Sequence, residues 1–188
     1  SWMYSTIDPD SGKTCPVNYV VWSDVYQCGS CLTEHTFWDF AVSKEKYKVN
    51  TEFNCPSCQS LQTKKSLIKS WRTDILNGQT FREVKQFPVQ ISYRIGRSSK
   101  FKNPDQNDFA ILDRINSLQI TDWFPDYEIS QGDKTSDPIN KGVTKIFQLY
   151  TKRNLITLSS IKARINKLDV PYYNFVMTAL DHGMSKRV

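Results

Sequence analysis

Runs of β-branched and aromatic residues in the first half of the chain predict a series of strands. Residues 17–26 are rich in Val, Tyr and Trp, and a second run spans residues 36–42. Residues 47–53 alternate apolar with polar side chains, and residues 62–72 are expected to continue as a strand or a short helix. Residues 87–95 alternate in the same way and contain β-branched residues, which predicts one further strand.

Helical periodicity begins in the second half of the chain. Residues 107–118 place apolar side chains three positions apart: Phe109, Leu112, Ile115 and Leu118. Asp105 or Asn107 can cap this helix at its N-terminus. Residues 125–142 are rich in Asp, Ser, Gly and Pro, and they predict a linker or a long surface loop.

The most regular helical pattern occupies residues 151–168. Its apolar residues recur at steps of three and four positions: Leu155, Leu158, Ile161, Ile165 and Leu168. At roughly 100° per residue, its basic residues fall on the opposite side: Lys152, Arg153, Arg164 and Lys167. Pro171 interrupts this helix, and residues 172–180 predict a short final helix before a polar tail at residues 184–188.

Two Cys-x-x-Cys motifs lie between the predicted strands. They are Cys28-Gly-Ser-Cys31 and Cys55-Pro-Ser-Cys58, and 23 residues separate them. Two thiolates on one tight turn can bind the same tetrahedral metal, whereas cysteines at this spacing seldom form a structural disulfide. We therefore expect all four to bind one zinc ion, which accepts four sulfur ligands without a special d-electron geometry. The alternatives are an iron or iron–sulfur centre, a redox-active dithiol, and plain buried cysteines.

A site with four cysteine ligands would be structural. Four protein ligands leave no position for a catalytic water, so the predicted role of the metal is to hold a small sheet folded. His35, four residues after Cys31, is the alternative fourth ligand. Cys15 lacks a Cys-x-x-Cys partner and is expected to be a free or buried thiol, and His182 has no obvious partner.

The order of the predicted elements indicates an α+β fold. A small antiparallel zinc-ribbon sheet is followed by additional strands and by two to three helices. The length of 188 residues allows one full domain and a small appended module. We divide the chain into a lead-in at residues 1–16, a zinc ribbon at 17–84, a strand, helix and acidic loop region at 85–142, and a C-terminal helical segment at 143–188.

Charge is distributed unevenly along the chain, whose formal net charge is +6. Residues 63–102 contain ten basic and two acidic side chains, whereas residues 103–142 contain three and eight. Two basic groups are candidates for contact with nucleic-acid phosphates: Lys64, Lys65, Lys69 and Arg72 after the second motif, and Arg94, Arg97, Lys100 and Lys102 around Gly96. A solvated basic surface without a partner is the alternative.

Catalytic and membrane motifs are missing from the sequence. The seven glycines form neither a phosphate-binding loop nor a dinucleotide fingerprint, and no Cys/His or Ser/His arrangement suggests a nucleophile. No catalytic residue is therefore predicted. No apolar run approaches the ~18 residues that span a bilayer, and the cysteine usage indicates a reducing, cytoplasmic setting. The start at Ser1 without Met suggests an excised fragment.

Five segments together resemble one family of enzymes. They are YVVWSDVYQCGSC at residues 19–31, FNCPSC at 53–58, FPVQISY at 87–93, WFPD at 123–126 and FQLYTKRNL at 147–155. In combination they resemble the adenine-specific DNA methylases of bacteria and archaea that carry a zinc ribbon inserted in the methyltransferase chain. The similarity extends over most of residues 2–168.

This resemblance implies a zinc-ribbon segment of an S-adenosylmethionine-dependent N6-adenine DNA methyltransferase, which assists DNA recognition or positioning. The implied zinc ligands are the four motif cysteines. The S-adenosylmethionine loop and the Asp-Pro-Pro-aromatic catalytic motif lie outside this region in the family, so the cofactor and the catalysis are expected of the parent enzyme alone. Residues 169–172, Asp-Val-Pro-Tyr, lack the first proline of that motif and are interpreted as a helix break.

The partners that follow are double-stranded DNA and the remaining methyltransferase polypeptide, with no membrane. The purpose of the methylation, in restriction–modification or in regulation, stays open at this point. The alternative function is a non-catalytic zinc-ribbon adaptor that binds protein or nucleic acid, and an independent enzyme is a third hypothesis.

Overall fold

The computed structural model describes residues 2–43, 48–133, 135–168 and 184. The chain divides into two compact units, each of which is formed by two separate stretches of sequence. The first unit comprises Ser1–Arg72 and Val84–Ala110, and the second comprises Thr73–Glu83 and Ile111–Val188. The division into four segments that we made from the sequence stays a prediction. The predicted helix at 172–180, the motif at 169–172 and His182 lie outside the described residues.

Strands and helices both occur along the described residues. The strands are β1 (Ser5–Ile7), β2 (Thr14–Gln27), β3 (Glu34–Thr36), β4 (Val42–Ser43), β5 (Lys48–Val49), β6 (Glu52–Asn54), β7 (Leu61–Thr63), β8 (Ile68–Lys69), β9 (Trp71–Leu76), β10 (Gln79–Val84), β11 (Gln86–Ile95) and β12 (Ser98–Lys102). The α-helices are α1 (Phe37–Ala41), α2 (Gln106–Ser117), α3 (Ser136–Asn140) and α4 (Lys152–Leu168). The paired strands are antiparallel, and the predicted α+β fold is confirmed. No helix among the described residues is long and apolar enough to cross a membrane.

Strand β2 is the centre of the first unit. It pairs with β1, β3, β8 and β11, and β12 continues the sheet beyond β11. Val and aromatic residues dominate its sequence, and such side chains fit the pleated surface of a sheet well. The strands predicted at residues 17–26 and 87–95 are confirmed by β2 and β11. The register between β2 and β11 shifts just after Pro88. Proline has no N–H to donate, and at such an irregularity the missing donor does not interrupt a regular series of hydrogen bonds.

The strand predicted at residues 36–42 is wrong over residues 37–41, which form helix α1, while Thr36 ends β3 and Val42 begins β4. Helix α1 begins after Thr36, whose Oγ1 accepts a hydrogen bond from the N–H of Asp39 at 3.1 Å. An N-cap of this kind gives the backbone N–H a hydrogen-bond acceptor within the helix. In a strand the same N–H would donate to a neighbouring strand. Phe40 and Ala41 are buried on one side of the helix, so the apolar spacing there is helical. The strand prediction was wrong because it was based on the aromatic content of this segment and not on the helical spacing of its apolar residues.

The other predicted elements of the first unit are shorter than expected. Of the strand predicted at residues 47–53, Tyr47 lies outside the described residues, and β5 and β6 occupy much of the remainder. Residues 62–72 contain the end of β7, a 3-10 helix at Lys64–Ser66, β8 and the start of β9. The stretch is therefore both strand and short helix.

Aromatic side chains form the core of the first unit around two of the motif cysteines. Its buried residues are Tyr26, Cys28, Phe40, Ala41, Phe53, Cys55 and Leu67, with Phe37 packed against them. The ring of Phe53 lies 6.1 Å from that of Phe37 and 5.8 Å from that of Phe40, as measured between centroids. Such edge-on and tilted pairs are the favoured geometry of aromatic contacts.

The second unit contains a hairpin and helices around an apolar core. Asn77 and Gly78 connect β9 to β10 with φ angles of 48° and 82°, as a two-residue hairpin turn requires. The core residues are Leu76, Ile120, Phe147, Tyr150, Leu155 and Leu158. Helix α4 confirms the helix predicted at 151–168, but Leu168 is 61% exposed and does not continue its buried stripe.

Helix α2 confirms the helix predicted at residues 107–118. Asp105 is the capping residue, because its Oδ1 accepts hydrogen bonds from the N–H groups of Asn107 and Asp108. The predicted loop at 125–142 contains helix α3 and a bridge between Glu128 and Lys145. This part of the second unit therefore has more regular structure than its composition indicates.

Candidate metal centre

Two turns of the same backbone geometry present the motif cysteines. The first turn (residues 28–33) follows β2, and the second turn (residues 55–60) follows β6. In the first turn the N–H of Cys28 donates to the carbonyl of Thr33 at 3.1 Å, and the N–H of Leu32 donates to the carbonyl of Cys28 at 3.0 Å. The φ angle of Leu32 is 58°, in the left-handed region that few side chains adopt.

The second turn repeats this pattern position by position. Cys55 N–H donates to the carbonyl of Ser60, and Gln59 N–H donates to the carbonyl of Cys55, both at 3.0 Å. The φ angle of Gln59 is 59°. The two turns share the Cys-x-Ser-Cys sequence and the same uncommon backbone, so they present their sulfur atoms in the same way.

The four sulfur atoms lie at the corners of a small cluster. The Sγ atoms of Cys28 and Cys58 are 3.8 Å apart, and so are those of Cys31 and Cys55. All four ligand atoms lie within 4.8 Å of one another. The edge of a regular tetrahedron with zinc–sulfur bonds of about 2.3 Å is about 3.8 Å long. The same distance is far beyond the ~2.05 Å of a disulfide bond, and the cysteines are free.

The inner and the outer cysteine of each turn differ in exposure. Cys28 and Cys55 are fully buried in the aromatic core, whereas Cys31 and Cys58 are exposed. We call these four residues the four-cysteine cluster. It closes the end of the first unit's core and has one face towards solvent.

Hydrogen bonds and burial shift the thiol pKa values in opposite directions. The backbone N–H of Cys31 lowers the pKa of Cys28 to about 6, and the N–H of Ser30, at 3.4 Å from the sulfur, acts in the same direction. Burial raises the pKa of Cys55 to about 11. The hydroxyl of Ser60, 3.0 Å from the sulfur, lowers the pKa of Cys58.

These shifts describe a cluster that needs a cation to become fully deprotonated. N–H and O–H donors favour the first thiolates, but each negative sulfur disfavours the next one in the same buried space. A divalent ion at the centre supplies the missing positive charge, so metal binding would release the remaining protons.

Gln62 joins the two turns and was not singled out in the sequence. Its side-chain Nε2 donates to Ser30 Oγ at 3.1 Å and to Ser60 Oγ at 2.9 Å. Its Oε1 accepts from the hydroxyl of Ser66 at 2.8 Å, and the residue is 4% exposed. A glutamine four positions after Cys58 is too common in sequences to suggest this role.

Gly29 is the second neighbour of the cluster that the sequence did not explain. A Cβ atom at this position would lie 2.6 Å from the backbone oxygen of Ser66, which is closer than side chains tolerate. The equivalent position of the second turn is Pro56. Glycine is therefore required in the first turn by a close backbone approach and not by the turn geometry itself.

His35 and Cys15 lie outside the four-cysteine cluster. The Nε2 atom of His35 lies 2.8 Å from the hydroxyl of Ser57, in the second turn, and its ring contacts Phe40. Histidine at this position thus braces the turn while the four sulfurs remain the candidate ligands. Cys15 is buried in β2, as a free thiol.

The first group of predicted nucleic-acid contacts follows the second turn. Lys64 and Lys65 are exposed, and the Nζ atom of Lys64 lies 5.6 Å from the centre of the Phe37 ring. Lys69 and Arg72 are partly buried and interact with other residues of the protein. In this group Lys65 and Lys64 are therefore the cations open to a partner.

The second group divides between two environments. Arg94 and Arg97 are exposed. The Lys100 ammonium lies 2.8 Å from a carboxylate oxygen of Asp10, and this hydrogen bond raises its pKa. The side chain of Lys102 is 6% exposed and lies between the carboxylates of Asp105 and Asp108.

The two groups lie near opposite ends of β2. Lys69 is opposite Tyr26 in the register of β8 and β2, whereas Tyr93 of β11 is opposite Val17. At ~3.3 Å per residue, the two positions on β2 are roughly 30 Å apart. The structure does not bring all eight predicted cations into one site.

No family model, curated protein or solved structure matches this chain. The four-cysteine cluster is therefore the observation from which its function is argued.

Proposed function

We propose that the four-cysteine cluster holds one structural zinc ion. The observation that carries the proposal is the convergence of four sulfur atoms within 4.8 Å of one another on two matched turns, with two pairs at the 3.8 Å of a tetrahedral edge. Zinc suits four thiolates, and with four protein ligands no position remains for a substrate or a reactive water. The ion would hold the core of the first unit together in place of a larger apolar interior.

The same sulfur geometry also suits iron, so the metal must be measured. We expect about one zinc ion per chain by elemental analysis of protein that was purified without added metal. A colourless protein distinguishes zinc from an iron–thiolate centre, since zinc has a filled d shell. An iron content at this ratio would replace zinc in the proposal, and protein without stoichiometric metal would end it.

Single substitutions give the matched control. Cys28→Ser and Cys55→Ser each remove a buried sulfur and are expected to abolish stoichiometric zinc. Cys15→Ser changes a buried cysteine outside the cluster, so its zinc content should stay at the level of the native chain. Equal zinc loss in all three variants would indicate general unfolding and contradict a site built on these sulfurs.

We further propose that this zinc module belongs to an S-adenosylmethionine-dependent N6-adenine DNA methyltransferase and helps to position its DNA. Support comes from the five sequence segments that resemble such enzymes and from the exposed cations Lys65, Arg94 and Arg97. The coding sequence around this segment provides the test, because the hypothesis demands a cofactor loop and an Asp-Pro-Pro-aromatic motif there. A gene without them would favour the alternative function, a non-catalytic zinc-ribbon adaptor.

Contact with duplex DNA has its own test. If the exposed cations contact phosphates, the affinity of the zinc-loaded chain falls as salt rises. A plot of the logarithm of the binding constant against the logarithm of the salt concentration then has a slope of about −0.9 per contacted phosphate. Arg97→Gln should make that slope shallower by about one contact. Tight binding to the rest of the enzyme without any DNA affinity would leave the module a scaffold.

A further inference from the structure

We propose that an exposed face of the six-stranded sheet binds unpaired bases of a single-stranded nucleic acid by stacking them on Tyr19 and Phe101. This site is distinct from the four-cysteine cluster. The proposal depends neither on the identity of the metal nor on the resemblance to methylases.

The two rings flank one small residue on the same side of the sheet. Ser92 of β11 is directly opposite Tyr19 of β2 on one side and Phe101 of β12 on the other. Directly opposite residues of antiparallel strands point to the same face. The ring centroids of Tyr19 and Phe101 are 6.5 Å apart, and the planes meet at 64°. We call Tyr19, Ser92, Phe101 and Arg94, which follows Ser92 by two positions, the aromatic face.

The two rings of the aromatic face are exposed, with Ser92 buried between them, whereas Tyr93 on the other side of the sheet is buried. Tyr19 is 53% exposed and Phe101 is 52% exposed. Tyr93, the residue after Ser92, points to the opposite side, is 1% exposed and donates a hydrogen bond to Asp8. Because the two exposed rings are in contact, they form one contiguous apolar patch, and such patches mark interaction sites.

The charges around the rings identify the partner. Arg94 is opposite Ser99 on β12, and Arg97 lies in the turn between β11 and β12. Both are exposed, and neither forms an ion pair with another residue that the structure describes. The aromatic face contains no carboxylate, while the acidic partners of Lys100 are Asp8 and Asp10. The face therefore offers two aromatic rings and one unpaired cation, Arg94, and the adjoining turn adds Arg97. This combination favours a polyanion that has planar groups.

A single strand offers both negative charge and accessible base faces, whereas a duplex offers the charge alone. Bases of an unpaired strand can leave their neighbours and lie on aromatic rings while arginines contact the phosphates. In a double helix the base faces are covered by the neighbouring pairs, so the phosphates and the base edges are accessible but no base can stack on the two rings. The structure thus assigns the aromatic face to unpaired nucleotides.

The test uses the full zinc-loaded chain and a fluorescein-labelled single-stranded DNA of about 12 nucleotides. Fluorescence anisotropy gives the affinity for this strand and for the same sequence as a duplex. Tyr19→Ala and Phe101→Ala should each weaken single-strand binding about 5- to 150-fold and leave duplex binding within about twofold. Arg94→Gln should reduce the salt dependence of binding, which Phe101→Ala should leave unchanged.

Tyr127→Ala is the matched control, because Tyr127 is a 63% exposed aromatic residue of the second unit. It should bind the single strand like the native chain. Zinc content and circular dichroism verify that each variant is folded. An undetectable affinity for the strand, an equal loss in Tyr127→Ala, or equal effects on duplex binding would overturn the proposal. So would sedimentation that shows the face covered by a second copy, with self-association lost in Phe101→Ala and strand affinity unchanged.

Discussion

The two units of this chain obtain their cores from different chemistry. In the first unit, two of the seven buried core residues are the cysteines Cys28 and Cys55, and the rest are mostly aromatic. In the second unit the core consists of Leu, Ile, Phe and Tyr side chains. They come from the hairpin, from Ile120, from the 3-10 helix Ile146–Leu149 and the residue that follows it, and from α4. The first core therefore contains two potential metal ligands, and the second contains none among the described residues.

The two units therefore differ in the source of their stability. Apart from β2, the strands next to the two turns, β3, β6, β7 and β8, are two or three residues long, and structural zinc contributes much of the folding free energy of such small modules. The second core consists of packed apolar side chains, whose burial is itself favourable. We expect the first unit to depend on metal and the second to depend on side-chain packing.

Removal of metal should have the largest effect on stability, and it should affect the first unit but not the second. Binding of structural zinc contributes about 10 kcal/mol of folding free energy in small modules, so a chelator should unfold the first unit. Amide NMR spectra should lose the dispersed signals of the first unit and retain those of the second. Persistent first-unit signals in metal-free protein would show that this unit does not depend on metal. Simultaneous loss of both sets of signals would show that the two units do not differ in this respect.

A cavity in the second core should give the opposite result. Phe147 is 3% exposed, and its ring contacts those of Phe81 and Phe124. Phe147→Ala should lower the free energy of unfolding of the second unit by about 3–5 kcal/mol, as urea denaturation measures, while zinc content stays unchanged. The exposed Trp123→Ala serves as the control, and a parallel loss of zinc would contradict separate sources of stability.

The two turns offer a matched pair of substitutions at one position. Gly29→Ala places a Cβ atom 2.6 Å from the oxygen of Ser66, and it should weaken zinc binding by about 1–3 kcal/mol in a competition titration with a chromophoric chelator. Pro56→Ala, at the equivalent position of the second turn, should change the affinity by about 1 kcal/mol or less. Equal effects would mean that the close approach to Ser66 does not constrain the cluster.

The cap of α1 should contribute less than either core. Thr36→Ala removes the acceptor of the Asp39 N–H and should lower the unfolding free energy of the first unit by about 1 kcal/mol. Thr36→Ser keeps the hydroxyl and should retain most of that stability. An alanine variant as stable as the native chain would show that packing of Phe40 and Ala41 alone determines this helix.

The smallest effect concerns alkaline pH. The hydrogen bond that Tyr93 donates to Asp8 raises the pKa of Tyr93 to about 12, above the usual value of about 10. A raised pKa means that the bond stabilises the folded chain below about pH 10 and that this contribution disappears as the pH rises towards 12.

Tyr93→Phe should therefore be less stable than the native chain at neutral pH, and the difference should shrink between about pH 10 and 12. Urea denaturation at several pH values measures it. Tyr19→Phe, a change at a half-exposed ring, is the control. A pH-independent difference for Tyr93→Phe would rule out the proposed linkage.

Local patterns in the sequence were sufficient for much of this structure. Strands β2 and β11, helices α2 and α4, and the convergence of the motif cysteines each follow from a periodicity or a spacing within a short window. The α1 helix was missed although Phe37, Phe40 and Ala41 have helical spacing, because Thr36 is recognised as a cap only once the strand alternative is abandoned.

Other features depend on residues that are distant in the chain. Gln62 reaches Ser30, and Gly29 approaches the backbone of Ser66, only after β2, β7 and the two turns are assembled. Lys102 was predicted to contact phosphates, and its burial between Asp105 and Asp108 requires the position of α2. A single sequence gives no information on such contacts, because neither periodicity nor spacing encodes them.

The central position of β2 has a consequence for how the chain assembles during synthesis. The ligands of the four-cysteine cluster are complete at residue 58, but β11, which covers one edge of β2, is made later, at Gln86–Ile95. If the nascent chain binds a metal at this stage, it displays an unpaired strand edge of β2 until the ribosome has added the segment up to β11. In that interval the edge can pair with strands of other nascent chains. Closely spaced ribosomes on one mRNA should therefore promote incorrect strand pairing between chains.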